Sequence, residues 1–262
     1  IDCNKYMKFD HLLRWAKEHG MEYVVTGHYA RVEQDEATGR WLLKKALYTD
    51  KDQSYVLYVL TQDQLAHTKF PLGGMDKPSI RKIAEEQGFC NARKHDSQDI
   101  CFVPDGDYVG FMERYTGKYY PDGDFLDVNG NVVGRHHGAV RYTCGQRKGL
   151  GIGGRRESLF ILATDTAQNV IYVGEGDAHP GLWRPALHIA PGEIHWVNPA
   201  RALSPGQSAR FSVRIRYRQP LQDATLFMRD RGAYILFDQP QRGITPGQFA
   251  AWYDGDELVG SG

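Results

Sequence analysis

The texture of the chain changes at Phe102. Up to that residue, apolar positions recur at helical spacing or gather in short runs; beyond it, turn signals such as Pro121-Asp122-Gly123, Asn129-Gly130 and Gly153-Gly154 cut the chain into short strands. Helices mixed with buried strands require helices packed on a sheet, whereas short strands at regular turns suit a small barrel. The expected architecture is an α/β part over 1–104, a small β-rich domain over 105–183 and a C-terminal β-barrel over 184–262.

In the first part, Tyr6, Phe9, Leu12, Leu13 and Ala16 fall on one helical face that Gly20 should terminate, and residues 22–25 read as a short buried strand. Residues 26–31, Thr-Gly-His-Tyr-Ala-Arg, then sit at the C-terminal end of that strand, where open α/β sheets bind ligands. Gly27 allows close backbone approach to a nucleotide and His28 offers a hydrogen-bonding ring; a turn glycine with a surface histidine fits the pattern equally well. A hairpin is expected between Arg31 and Tyr48. Lys51, Asp52, Gln53 and Ser54 precede an apolar run and read as a helix start or a solvated loop. A helix over 80–87 should stop at Gly88. This order of elements fits the second half of an α/β domain.

Residues 94–102 place Cys101 among charged and hydroxyl side chains. Lys94 or His95 would favour its thiolate, and Asp96 and Asp99 would oppose it; a cysteine packed at a strand end is the plain alternative. The other cysteines, 3, 90 and 144, form no CxxC pair and no zinc-type spacing with histidine, so no metal site is expected, and Cys90 and Cys144 read as ordinary buried thiols.

Residues 145–156 combine five glycines with Arg147, Lys148, Arg155 and Arg156, a flexible basic loop suited to phosphate or RNA backbone, or simply solvated. Residues 160–164 and 170–174 make a hairpin. Residues 209–218 alternate with period two, predicting Arg210, Arg214, Arg216 and Arg218 on one strand face and Phe211, Val213, Ile215 and Tyr217 on the other. Such a face suits phosphate contact, or defends a strand edge by charge. Residues 224–228, 233–237 and 249–253 supply further strands.

The formal net charge is zero, so a basic surface must be balanced elsewhere. No apolar run is long enough to span a bilayer, and the start lacks the regions of a signal peptide, so a cytoplasmic location without membrane attachment is expected. The first residue, Ile1, suggests a chain that begins inside a longer protein.

Six motifs occur in order: Cys3-Asn4-Lys5 with Lys8-Phe9; residues 26–31; Lys51-Asp52-Gln53-Ser54-Tyr55; residues 96–102; Gly145-Gln146-Arg147-Lys148-Gly149-Leu150-Gly151; and Thr245-Pro246-Gly247-Gln248. Together they resemble the bacterial tRNA-specific 2-thiouridylase family over essentially the whole length. The resemblance implies that residues 1–104 are the C-terminal part of an ATP-pyrophosphatase domain of the adenine nucleotide alpha hydrolase type, with the serine-glycine-glycine phosphate loop expected upstream. It implies ATP, with magnesium, as the activator of the wobble uridine at C2, and sulfur received as a persulfide from a relay protein. Cys101 is then the persulfide carrier. Cys3 is its partner, releasing the sulfur and closing a disulfide, unless hydrosulfide freed at Cys101 attacks directly. By the same resemblance Gly27 touches the adenylate, while His28, Lys51, Asp52, Gln53, Arg216, Tyr217 and Gln248 meet the tRNA. Residues 97–99, Ser-Gln-Asp, depart from family forms that carry glycine before Ile-Cys. A monomer is expected. The alternative is a tRNA-binding fragment that lacks its ATP loop and is catalytically incomplete.

Overall fold

The computed structural model describes residues 3–93, 103 and 106–262. The chain divides into two compact units, one comprising Ile1–Lys94, Ala186–Gln239 and Gln248–Gly262, the other His95–Pro185 and Pro240–Gly247.

The first unit opens with a π-helix, Cys3–His11, continuing as α1, Leu12–Glu18; the wider first turn breaks the expected helical register, so Tyr6 and Leu12, placed on the apolar face by their spacing, are exposed. Phe9 is fully buried and Leu13 and Ala16 nearly so, while the charged positions face outward. After Gly20, at φ 71°, strand β1 (Val24–Val25) pairs in parallel with β4 (Thr68–Lys69). Between them lie the expected hairpin, β2 (Ala30–Gln34) with β3 (Trp41–Lys45), and the short helix α2 (Gln62–Ala66). Thr61 and Gln64 close a capping box on α2, satisfying two backbone donors. Helix α3, Lys77–Glu86, begins three residues before the sequence pattern suggested, because Asp76 accepts from the Ser79 amide as its N-cap.

The second unit contains α4 (Tyr108–Thr116) and a four-stranded sheet in the order β6-β5-β8-β7. Its strands are β5 (Gly123–Leu126), β6 (Val132–His136), β7 (Leu159–Asp165) and β8 (Val170–Glu175), and both expected hairpins are present. Phe125, Ile161, Ile171 and Val173 are fully buried in its core.

The remaining strands are β9 (Trp183–Ile189), β10 (His195–Trp196), β11 (Ser208–Arg214), β12 (Gln222–Arg229), β13 (Gly232–Arg242), β14 (Ala251–Asp254) and β15 (Glu257–Ser261). The sheet runs β2-β3-β15-β14-β11-β12-β13-β9, with β10 also on β15. The early hairpin therefore joins the late strands through Lys44 opposite Glu257 and through the Lys45 amide on the Asp256 carbonyl, 2.8 Å. Phe9, Leu43, Tyr55, Leu60, Tyr253 and Leu258 share one core, so early and late segments of the first unit bury each other's apolar faces.

Two expectations fail here. The strand predicted over 209–218 ends at Arg214, and Arg216, Tyr217 and Arg218 lie in the turn that follows. Arg214 is buried, 7% exposed, because residues from the early part of the chain cover the sheet face that alternation assigned to solvent. Cys90 and Cys144 are not buried thiols either: Cys90 is exposed and Cys144 half-buried.

Candidate functional site

Asp52 sits between two 3-10 turns, Thr49–Lys51 and Ser54–Leu57, and is 4% exposed. The polar cluster is thus neither a simple helix start nor a solvated loop. Its Oδ1 accepts from the Ala46 and Ser54 amides at 3.0 and 3.2 Å, and its Oδ2 from Ser54 Oγ and Arg214 Nη2 at 2.9 and 2.5 Å. A buried carboxylate costs several kcal/mol unless charge and hydrogen bonds compensate it, and here both do. Arg214 also donates to the Tyr217 carbonyl at 3.3 Å, and its guanidinium lies 4.9 Å from the centre of the Tyr253 ring. Tyr253 hydroxyl and Ser54 Oγ are 3.1 Å apart, and burial pushes the Tyr253 pKa up to about 12.

This ion pair ties two segments together. On one side, Gln53 exchanges bonds with Tyr29, its amide donating to the Tyr29 carbonyl at 2.7 Å and its Oε1 accepting from the Tyr29 amide at 2.9 Å. On the other, Tyr217 is half-buried, with its pKa raised by burial and by the Asp52 charge and lowered by a hydrogen bond with Gln53. Gln248 is exposed beside Phe249, which stacks on Tyr55 at 4.5 Å and accepts the Tyr55 hydroxyl on its carbonyl at 2.8 Å. Asp52, Gln53, Arg214 and Tyr217 form one connected network, which Tyr55 extends to Phe249, the residue after Gln248. Lys51 is half-buried and Arg216 exposed on the two segments.

His28 reaches the network through Tyr29. Its Nδ1 lies 2.8 Å from Thr26 Oγ1, and its ring packs between Phe9 and Phe70, 5.9 and 5.8 Å between centres. Burial, with Lys8 adding repulsion, lowers its pKa to about 4, so near neutrality it is an uncharged ring that can hydrogen-bond or stack but not pair with phosphate as a cation. A Cβ at Gly27 would meet only Leu72 Cδ1, at 3.5 Å, so packing within the chain does not demand glycine there. That fits a backbone left open to a ligand. Among the described residues no group of three or more His, Cys, Asp and Glu could hold a metal ion, and no helix is long and apolar enough to cross a membrane.

Cys3 is an exposed free thiol at the first turn of the π-helix. The next residue, Asn4, is 7% exposed and donates Nδ2 to the Val56 carbonyl at 3.1 Å, fixing that turn beside the segment that carries Asp52 and Gln53. Cys101, with Lys94, His95, Asp96 and Asp99, lies outside the described residues.

Three family models match the chain in succession: a tRNA methyl transferase HUP domain over residues 1–105, a tRNA methyl transferase PRC-barrel domain over 109–175 and an aminomethyltransferase β-barrel domain over 188–262. The protein called tRNA-specific 2-thiouridylase MnmA in Christiangramia forsetii is 43% identical over 293 residues, spanning 99% of this chain and 74% of its own length. Its namesakes in Geotalea uraniireducens and Clostridioides difficile are 44% and 41% identical across all of this chain, which spans 67% and 70% of theirs. The chain belongs to the tRNA-specific 2-thiouridylase family. Its fold class follows: a HUP-type α/β part, a β-rich PRC-barrel domain and an aminomethyltransferase-like β-barrel, the order the sequence texture suggested.

In this member of the 2-thiouridylase family Tyr253 joins the site with no sequence signal, Ser54 joins it through its motif, and Arg214, offered by alternation for phosphate contact, pairs instead with Asp52. That pairing was hidden by the place of Arg214 in an alternating strand. The available signal was Asp52 itself, a carboxylate two residues before Ser54 at the head of an apolar run, where burial would require a cation from elsewhere.

Proposed function

We propose that the protein acts as an ATP-dependent tRNA 2-thiouridylase in the cytoplasm, as a monomer, with functional boundaries at 1–104, 105–183 and 184–262. Transfer to a uridine C2 requires the oxygen to leave and sulfur to enter. ATP, with magnesium bound to its phosphates, supplies AMP as the leaving group on that oxygen, and Gly27 is the residue of this chain offered to it.

The sulfur chemistry falls to two thiols. Cys101 accepts a sulfane sulfur from a relay protein as a persulfide. The Cys3 thiolate attacks the inner sulfur, the persulfide S–S bond breaks, hydrosulfide leaves to the activated C2, and a Cys3–Cys101 disulfide remains for an external thiol to reduce. Cys3 is suited to the role by exposure at the chain segment that Asn4 anchors.

Support for the RNA reading comes chiefly from the Asp52–Arg214 pair, which holds Gln53 and Tyr217 at hydrogen-bonding range. In this reading Lys51, Gln53, Arg216, Tyr217 and Gln248 contact the tRNA, His28 contributes a neutral ring, and Asp52 acts by holding its neighbours because its own carboxylate is occupied. The test is the full-length protein with ATP, magnesium, a persulfide donor and unmodified tRNA, with 2-thiouridine read by mass spectrometry. Product should form and should be lost in Cys101→Ser and Cys3→Ser. Undiminished product in both variants would overturn the thiol assignments, and none with the wild type would overturn the activity.

A further inference from the structure

The basic glycine-rich loop of the second unit is absorbed by none of the roles above. Between positions 145 and 156 it carries four cations and no carboxylate, in a protein whose formal net charge is zero. Arg147, Lys148, Arg155 and Arg156 are all exposed. No ion pair joins Arg147, Lys148 or Arg156 to any described residue, and Arg155 adds only a minor attraction to Asp127, whose low pKa is due chiefly to Asn131. The nearest acid in sequence, Glu157, is turned toward the Gly176 turn.

The loop is also pinned. Leu150 is 7% exposed within the core of the unit, and Ile152 packs on that core over Gly134, where a Cβ would come within 2.8 Å of Ile152 Cγ1. Gly145 donates its amide to the Ile161 carbonyl at 2.8 Å, and the Ile161 amide returns a bond to the Gln146 carbonyl at 3.0 Å. The Gln146 side chain bridges the Thr143 amide and the Lys148 carbonyl. Glycines 149, 151 and 154 take φ of 79°, 69° and 73°, which lets the chain reverse between its two anchors while the cations stay outside.

We infer that this loop is a phosphate-docking strap of the central unit, one cation pair on each side of the Leu150–Ile152 anchor gripping the RNA backbone of the tRNA substrate. This rests on the thiouridylase reading and adds a surface to it. Solvated charges need no anchoring, and a surface for protein partners usually interleaves acids and apolar residues with its cations. Unopposed arginine and lysine on a backbone already ordered suit a repeating anion, since little further conformational entropy is lost on binding.

The test compares full-length wild type, the quadruple alanine variant of Arg147, Lys148, Arg155 and Arg156, and a variant with the three arginines changed to lysine, in tRNA binding across a salt series. Circular dichroism and melting temperature should match among them, since the altered side chains are exposed. Alanine should weaken tRNA binding tenfold or more near physiological salt. It should flatten the slope of log affinity against log salt by roughly one to three, about 0.9 for each phosphate no longer neutralised. The lysine variant should keep the slope. Arg216→Ala provides the reference for the other RNA surface. If it weakens binding while the quadruple variant does not, the strap is wrong and the thiouridylase reading stands. If the wild type itself neither binds nor thiolates tRNA, both fall. Unchanged tRNA affinity with thiolation lost only when sulfur arrives on a relay protein, not as free sulfide, would make the strap a protein-docking surface and overturn the inference.

Discussion

At Arg214 one side chain satisfies a buried carboxylate, caps the turn at Tyr217 through its carbonyl and lies over Tyr253, so its loss cannot be local. Arg214→Met should leave Asp52 as an unpaired buried charge and cost about 3–5 kcal/mol in denaturant unfolding. Adding Asp52→Asn should recover part of that cost, because the stranded charge is then removed. Additive losses in the double variant would show that the pair does not couple. His28 carries a pH signature. Its pKa is depressed to about 4 in the folded protein, mainly by burial and next by Lys8, so the unfolded chain binds the proton more readily between that value and the ordinary 6.5. Stability from this group is complete above pH 6.5 and declines as pH falls toward 4, by on the order of 1–3 kcal/mol. A His28→Gln variant should lack that part of the acid decline, and the wild-type ring should show no NMR titration above pH 5.

At the scale of elements, the turn Pro71–Gly74 is held against β2 more closely than any side chain allows. A Cβ on Gly73 would stand 1.8 Å from the Ala30 carbonyl oxygen, and the Leu47 amide bonds the Gly73 carbonyl at 2.9 Å. Gly73→Ala must therefore move backbone against backbone, at a cost above the about 1–3 kcal/mol of ordinary overpacking. Since β2 directly follows His28 and Tyr29, tRNA affinity should fall with the melting temperature; a neutral substitution would contradict that close approach. The hairpins around Asn129-Gly130 and between β7 and β8 were legible because their signals are local, a turn flanked by alternating apolar residues. The end of β11 was not. Period-two alternation reports which side chains share a face but not what covers that face, and the cover over Arg214 comes from Asp52 and Tyr55, about 160 residues earlier.

For the whole molecule, the change of texture at Phe102 foretold a helical α/β part before β-rich ones, and the family matches bear that order out. The sequence could not foretell that the hairpin of β2 and β3 extends the sheet of the late strands, because that depends on Lys44 meeting Glu257. Cross-strand partners so far apart leave no periodic trace. The candidate site was half legible: a motif singled out Gln53 and the family resemblance Tyr217, but only the fold reveals that Asp52 is turned inward to join them.

The central claim is that sulfur passes through Cys101 to the uridine. The direct measurement is a single turnover: full-length protein is loaded from a donor carrying isotopically labelled sulfane sulfur, freed of donor, and mixed with ATP, magnesium and unmodified tRNA. Labelled 2-thiouridine should appear as label leaves the Cys101 peptide, and Cys101→Ser should give none. Label that stays on Cys101 while unlabelled or no product forms, or equal transfer by Cys101→Ser, would contradict the account.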